Sequence, residues 1–169
     1  VELSGSLRAR QGELLRPFAG QVNWHDELPA RINGVVLGNE VLDAMPVQLL
    51  TWNGSDWFER GVVWNTDGFA WGDRPTALRP PVAHGHVAGT VVERHAQAEA
   101  FVQSLAERMH RAAAFFIDYG FPEAEYYHAQ RTAGTLMCHQ AHLADSDPLV
   151  DVGLKDITAH VNFSGLALC

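Results

Sequence analysis

The stretch Asn39-Glu40-Val41-Leu42-Asp43-Ala44-Met45-Pro46 sets two carboxylates three residues apart, directly after the apolar run Gly34-Val35-Val36-Leu37. On a helical turn Glu40 and Asp43 share one side, and such a pair can clamp a guanidinium or an amine in bidentate fashion. The same spacing also suits Asn39 or Asp43 as the cap of a short helix. A second polar cluster, Asp118-Tyr119-Gly120, closes another apolar run, Ala113–Ile117. Glu2 lies just before Ser4 and a helical segment. Its two oxygens suit vicinal hydroxyl donors, as on a ribose held at the end of the second strand of a dinucleotide-type fold. From spacing alone, an acid favoured by the dipole at a helix N-terminus is the simpler explanation. Among the nine histidines, His84-x-His86 and His139-x-x-His142 have conceivable metal spacings, but no Cys/His quartet and no HExxH accompanies them. No metal is therefore expected. Neither the GxSxG nucleophile turn nor the phosphate-cradling GxxxxGK[ST] is present.

The elements that must position these residues read as α/β. Ser6 to Arg16 has a helical pattern, with Leu7, Leu14 and Leu15 on one face and Pro17 as its stop. Gln21–Trp24 reads as a short strand. The run 34–37 reads as a strand covered on both faces, as in a parallel sheet. Val47–Trp52, Asn53-Gly54 and Trp57–Trp64 form a hairpin signal, and Asp67-Gly68 a second turn before Phe69–Trp71. This antiparallel meander interrupts the α/β alternation and reads as an insertion. Arg74–Pro81 is a Pro-bearing loop. From Arg94 to Arg111, Ala98, Phe101, Val102, Leu105 and Met109 form one helical stripe, with Glu107 and Arg111 an i,i+4 pair. Ala113–Ile117 is a second buried strand, Thr135–His139 another, Gly153–Phe163 irregular, and a last helix starts near Asn162 or Ser164. In an open parallel sheet ligands bind beyond the carboxyl ends of the strands, so Asn39-Glu40 and Asp118-Tyr119 should face one crevice.

The 169 residues suit one domain, and 47% apolar content argues against a disordered chain. A net charge of −8, from 12 basic and 20 acidic side chains without a Lys/Arg tract, disfavours nucleic acid and anionic membrane as partners. Two cysteines, Cys138 and Cys169, do not make a disulfide framework and point to a reducing compartment. No apolar run approaches the ~20 residues of a membrane span. Val1-Glu2-Leu3-Ser4 is neither a signal peptide nor a start with Met, so the true N-terminus is expected elsewhere.

In order along the chain, Glu2, Ser4, Leu7, Arg8 and Gln11, Trp24-His25, Asn39 to Val47, Ile117-Asp118-Tyr119-Gly120, Gly134-Thr135-Leu136, His142, Asp147-Pro148-Leu149, Gly153 and Asp156-Ile157-Thr158-Ala159-His160-Val161-Asn162-Phe163 resemble the MidA family. The Asn-Glu-x-x-Asp-Ala-x-Pro and Asp-Ile-Thr-Ala-His-Val stretches are its specific parts. The resemblance implies a partial Rossmann-like class I methyltransferase sheet, with residues 1–46 and 93–169 in the methyltransferase domain and 47–92 as the β-rich insertion. It implies S-adenosylmethionine as cofactor, and by analogy with mitochondrial members, arginine methylation linked to assembly of respiratory complex I. By the same resemblance Glu2 holds the ribose, Trp24, His25 and Asp26 lie near the adenine, and Asn39 belongs to the cofactor side. Glu40 and Asp43 flank the methyl-transfer crevice, with Asp118 or His160 as proton acceptor. Tyr119 and Asp156 line the substrate side. A protein substrate such as a respiratory-complex subunit is expected, as are a homodimer as a compatible assembly, no membrane insertion, and a bacterial cytoplasmic or mitochondrial-matrix location. The family's glycine-rich turn falls upstream of Glu2 and its final strands beyond Cys169. The chain is accordingly expected to be part of a longer polypeptide, and without cofactor when alone. The competing expectation is a non-catalytic assembly or chaperone-type binding protein, whose contact surface would draw on Trp52, Trp57, Trp64 and Trp71, although most of these tryptophans read more simply as hairpin core, since aromatics favour strands. A nicotinamide-dependent oxidoreductase shares the fold class but not these motifs.

Overall fold

A computed structural model describes residues 1–169. The Ser4 side chain accepts the Leu7 N–H at 3.4 Å and starts α1 (Gly5–Leu14). With Pro17 in its first turn, the chain then tightens into a 3-10 helix over Arg16–Gln21. The strand expected at Gln21–Trp24 does not form, because Gln21 closes that tight turn and the residues after it find no ladder partner. There follow β1 (Ile32–Asn39), β2 (Gln48–Trp52), β3 (Trp57–Asn65), β4 (Gly68–Pro75) and β5 (Val91–Arg94), then α2 (Ala96–Arg108) and β6 (Met109–Ile117). The last part holds β7 (Gly120–Phe121), α3 (Glu123–Tyr126), β8 (Met137–Gln140), β9 (Leu143–Asp145), β10 (Asp156–Thr158), β11 (Val161–Asn162) and α4 (Phe163–Leu168).

The two apolar runs pair as a parallel ladder, β1 with β6, in a register that sets Leu37 opposite Phe115 and Asn39 opposite Ile117. On one face α2 packs through Phe101, whose ring meets Phe116 edge-on at 5.9 Å. The other face stands open to solvent, with Leu37 76% and Ile117 66% exposed beside Val35 and Phe115. The expectation of cover on both faces therefore holds for one face alone. The helix also ends earlier than its periodicity predicts. Met109 takes an extended conformation, and Arg111 pairs with Asn33 in the ladder, so the Glu107–Arg111 helical pair is not made. Eight paired ladder positions, interrupted by one irregularity after Ile32, outweigh one more helical turn.

The insertion is a four-stranded antiparallel sheet of order β4-β3-β2-β5. Asn53 Oδ1 accepts the N–H groups of Ser55 (2.8 Å) and Asp56 (2.7 Å), which closes the first turn. Arg74 and Pro75, expected in a loop, still pair with Glu59 and Phe58. The core gathers Leu50, Trp57, Val92, Tyr126 and Tyr127, with Trp52, Leu78, Val82 and Phe121 packed against it. The insertion thus shares its core with the segment after β7. The region read as irregular, Gly153–Phe163, supplies β10, antiparallel to β8, and β11, parallel to β7. Asn162 Oδ1 accepts the Gly165 N–H at 3.1 Å and starts α4 where the sequence predicts it. No helix is long and apolar enough to cross a membrane.

Candidate active site

The carboxyl ends of β1 and β6 lie side by side, and the Glu40 N–H donates to the Ile117 carbonyl at 2.8 Å. Glu40 adopts φ +49°, a left-handed conformation uncommon for a non-glycine residue, and turns the chain out of the sheet. The turn that follows is held by one carboxylate. Asp118 Oδ2 accepts the N–H groups of Val41 (3.1 Å), Leu42 (2.9 Å) and Asp43 (3.4 Å), while Oδ1 accepts that of Tyr119 (3.0 Å). Asp118 therefore sits behind the turn as its anchor rather than on the cleft surface. Asp43 is buried. Its Oδ2 accepts the Tyr119 hydroxyl at 2.6 Å, its carbonyl accepts the Ala159 N–H at 2.9 Å, and its Oδ1 has no partner. Burial, and then the neighbouring Asp43 carboxylate, push the Tyr119 phenol up to about 12.

Glu40, Asp43, Tyr119, Asp156 and His160 line a cleft of about 470 Å³, together with Met137, His139 and Thr158. Antiparallel register explains how the far wall forms: Asp156 pairs with His139 and Thr158 with Met137, so these side chains share one face of the β10-β8-β9 sheet. The His160 ring stacks on Phe121 at 5.1 Å, meets Tyr119 edge-on at 5.1 Å, and has a buried Nδ1 without a partner. The Arg131 guanidinium lies 4.1 Å from the Phe121 ring centroid. Gly120 is required here, since a Cβ would come within 2.0 Å of the Val161 carbonyl oxygen across the β7–β11 pair.

The residues expected on the cofactor side gather separately. The Glu2 N–H donates to the His25 carbonyl at 3.2 Å, Arg8 pairs with Asp26, and the Arg8 guanidinium lies 5.9 Å from the Trp24 ring centroid. The Ser4 N–H (2.8 Å) and the Gln11 amide (3.0 Å) donate to the two Glu2 oxygens and hold its carboxyl below the usual range. An ionised carboxylate keeps lone pairs for further donors, and a partly exposed indole beside it suits a flat base, so this donor set fits a nucleoside. Asn39 is exposed at the end of β1. No hydrogen bond or ion pair links the Glu2 cluster to the cleft.

A buried polar set escaped the sequence reading. Glu93, 1% exposed, accepts the Thr135 N–H (2.6 Å) and the Leu136 N–H (3.0 Å) on Oε1 and the Tyr126 hydroxyl (3.1 Å) on Oε2. The Tyr126 oxygen also lies 2.9 Å from His95 Nε2 and 3.0 Å from Thr135 Oγ1, and Thr135 Oγ1 accepts the His160 N–H at 3.0 Å. Burial raises the Glu93 carboxyl and lowers His95 to about 4. The set thereby fixes the segment that carries His160. Its sole sequence signal was Glu93 and His95 flanking the start of a helix, with nothing to mark their burial. His86, one of the spaced histidines, serves structure: Nε2 lies 2.8 Å from the Val82 carbonyl and the ring packs edge-on to Trp57 at 5.2 Å.

Comparison with known proteins gives this geometry a context. Residues 1–169 match a family model described as "Putative S-adenosyl-L-methionine-dependent methyltransferase". A crystal structure from Burkholderia thailandensis, described as a superfamily member and "likely methyl transferase" bound to S-adenosyl-homocysteine, is 51% identical. It superposes with a TM-score of 0.87 over 97% of this chain and 45% of that one. A native crystal structure of an uncharacterized protein of the same superfamily, also from Burkholderia thailandensis, gives 51% identity and a TM-score of 0.89 over 98% of this chain and 47% of that one. This chain thus spans about half the length of the solved structures it matches. No curated protein matches it. At that identity the likeness carries more than the α/β fold, and the chain belongs to this family of S-adenosyl-L-methionine-dependent methyltransferases.

Proposed function

We propose that this chain carries the methyl-acceptor side of an S-adenosylmethionine-dependent methyltransferase that modifies a cationic protein nitrogen, with arginine as the substrate residue. The observation that carries this reading is the acidic cleft itself. Glu40, Asp43 and Asp156 meet at the strand ends, no lysine or arginine lines the cleft, and the Oδ1 of the buried Asp43 lacks a partner. A buried carboxylate oxygen without a donor is costly, and a guanidinium N–H supplies one in bidentate geometry.

In this reading Glu40 meets the guanidinium at the mouth of the cleft and Asp43 receives it at the base. Tyr119 holds Asp43 in place through its hydroxyl, and Asp118 positions the whole 41–43 turn. The bound cofactor supplies an electrophilic sulfonium methyl. Glu40 and Asp43 would orient the acceptor nitrogen toward that methyl group. The proton released from nitrogen passes to His160, whose buried Nδ1 leaves Nε2 as the nitrogen open to the cleft. Orientation and electrostatics contribute most of the rate in such a displacement. Glu2 would accept the ribose hydroxyls and Trp24, with His25 and Asp26, would border the base.

Glu40→Gln in the full-length protein tests the reading. With methyl-labelled S-adenosylmethionine and a lysate of the host, label in protein should fall at least a hundredfold, while cofactor binding by calorimetry stays unchanged. Retained labelling would make Glu40 structural. A second reading, a non-catalytic assembly factor, is favoured by Trp64, which is 73% exposed. Under that reading the wild-type protein labels nothing. The arginine acceptor and the link to respiratory complex I rest on the resemblance to MidA proteins.

A further inference from the structure

The same small sheet that walls the acidic cleft carries an apolar groove on its other face. Asp156 and Thr158 point into the cleft, whereas Ile157 between them lines a groove of about 440 Å³ with Leu149, Val152, Val62 and Trp71. One wall is the insertion sheet, where Val62 sits opposite Trp71 in the β3–β4 register. Trp64 continues that wall, its ring edge-on to Phe69 at 5.0 Å. The facing wall is the segment 146–152, which leaves Val150 and Val152 exposed. Large apolar side chains held open on two facing walls mark a contact surface.

Charge around the groove selects its occupant. Arg60, Arg74 and Lys155, the nearby cations, are each already paired, with Asp73, Glu59 and Asp145. Asp67 and Asp147, which line the outer groove, form no salt bridge. The groove therefore offers an apolar floor with an acidic rim and no free cation. That combination excludes an anionic lipid surface and fits an aromatic or aliphatic side chain flanked by lysine or arginine.

We propose that this groove docks a hydrophobic-basic segment of the protein substrate whose methylated residue enters the acidic cleft. The proposal rests on the methyl-acceptor reading above and adds where sequence specificity resides. Cleft and groove occupy opposite faces of the β10-β8-β9 sheet, so the bound chain rounds the short β10 edge. At ~3.3 Å per extended residue, and with packed layers ~10 Å apart, the anchor sits about three to five residues from the modified residue. Binding energy from this remote contact serves to hold the acceptor in place.

The test uses fluorescein-labelled peptides with one arginine and a lysine-flanked phenylalanine four residues away, titrated into the full-length protein with S-adenosyl-homocysteine present and read by anisotropy. Replacing the phenylalanine by serine should weaken binding to the wild type at least tenfold. Val62→Asp and Val152→Asp, both at exposed positions, should each weaken the parent peptide to the same degree and leave no further loss on the serine replacement. Equal affinity of the phenylalanine and serine peptides for the wild type overturns the docking groove. In that case a loss on changing arginine to glutamine still supports the acidic cleft, whereas indifference to both changes overturns the acceptor reading as well. A wild-type dimer by sedimentation that Val62→Asp dissociates, together with unchanged peptide affinity, assigns the groove to a second copy and overturns the proposal.

Discussion

Both oxygens of Asp118 accept backbone N–H groups, three of them from the turn that carries Asp43. A carboxylate in that role sets geometry, and its loss should displace Asp43 and Glu40 together. Asp118→Asn keeps the shape but turns one acceptor into a donor facing N–H groups. It should lower both kcat and thermal stability, at about 1–3 kcal/mol for the buried mismatch, read by turnover and calorimetry on the same sample. Tyr119→Phe leaves Asp43 with no hydrogen-bond donor from a side chain. Its expected signature is an Asp43 side chain no longer held in place, read as a lower kcat with cofactor binding unchanged; a wild-type kcat would remove Tyr119 as its support. His95 gives the pH dependence of stability. Its folded value near 4 lies below its ordinary 6.5, so the unfolded chain binds the extra proton between these values. Stability should therefore be full above pH 6.5 and fall towards pH 4, by about 3 kcal/mol for a shift of this size. Glu93, raised by burial, acts in the opposite sense, its contribution being complete below 4.5 and lost as pH rises through its folded value. His95→Gln should flatten the acid limb in chemical denaturation followed across pH 4 to 7. An unchanged slope would remove His95 as its source.

At the scale of elements, the site depends on short pairings rather than on long strands. The β7–β11 pair spans two residues, yet it sets Tyr119 and His160 edge to face. Gly120→Ala drives a methyl into the Val161 carbonyl and should cost about 1–3 kcal/mol of stability while abolishing turnover. A melting temperature equal to that of the wild type would contradict this. Gly134 is constrained twice, by φ +71° and by the Glu93 carboxylate 2.3 Å from where a Cβ would stand. Of the four insertion tryptophans, read mostly as hairpin core with a contact surface as the alternative, Trp57 is core at 3% exposure and Trp52 packs against it. Trp64 and Trp71 line the outer groove.

The whole molecule combines an insertion buried at its β2 and β5 end with a thinly covered parallel pair. Leu50, Trp57 and Val92 form its core with the two tyrosines of the α3 region, whereas Val35, Leu37, Phe115 and Ile117 present a contiguous apolar face. Faces of that kind bind apolar dyes and promote association. Residues 1–169 alone are expected to enhance the fluorescence of such a dye and to scatter light at neutral pH. Leu37→Lys with Ile117→Lys should reduce both. A dye signal that ignores the double substitution would mean that this face is covered in solution.

The residue types and local spacing by themselves determined the parallel-strand runs ending in Glu40 and Asp118, both insertion turns and the α4 cap. These are short-range properties: turn chemistry, capping and apolar patterning are written within a few positions of each other. Tertiary structure alone decided that Asp118 anchors while Asp43 and His160 line the cleft, and that Glu93 and His95 are buried partners. It also decided that Met109 to Arg111 leave the helix for the sheet. Each of those outcomes depends on which distant segment supplies the hydrogen-bond partner or the covering side chain, and separations of 30 to 80 residues carry no local signal of it.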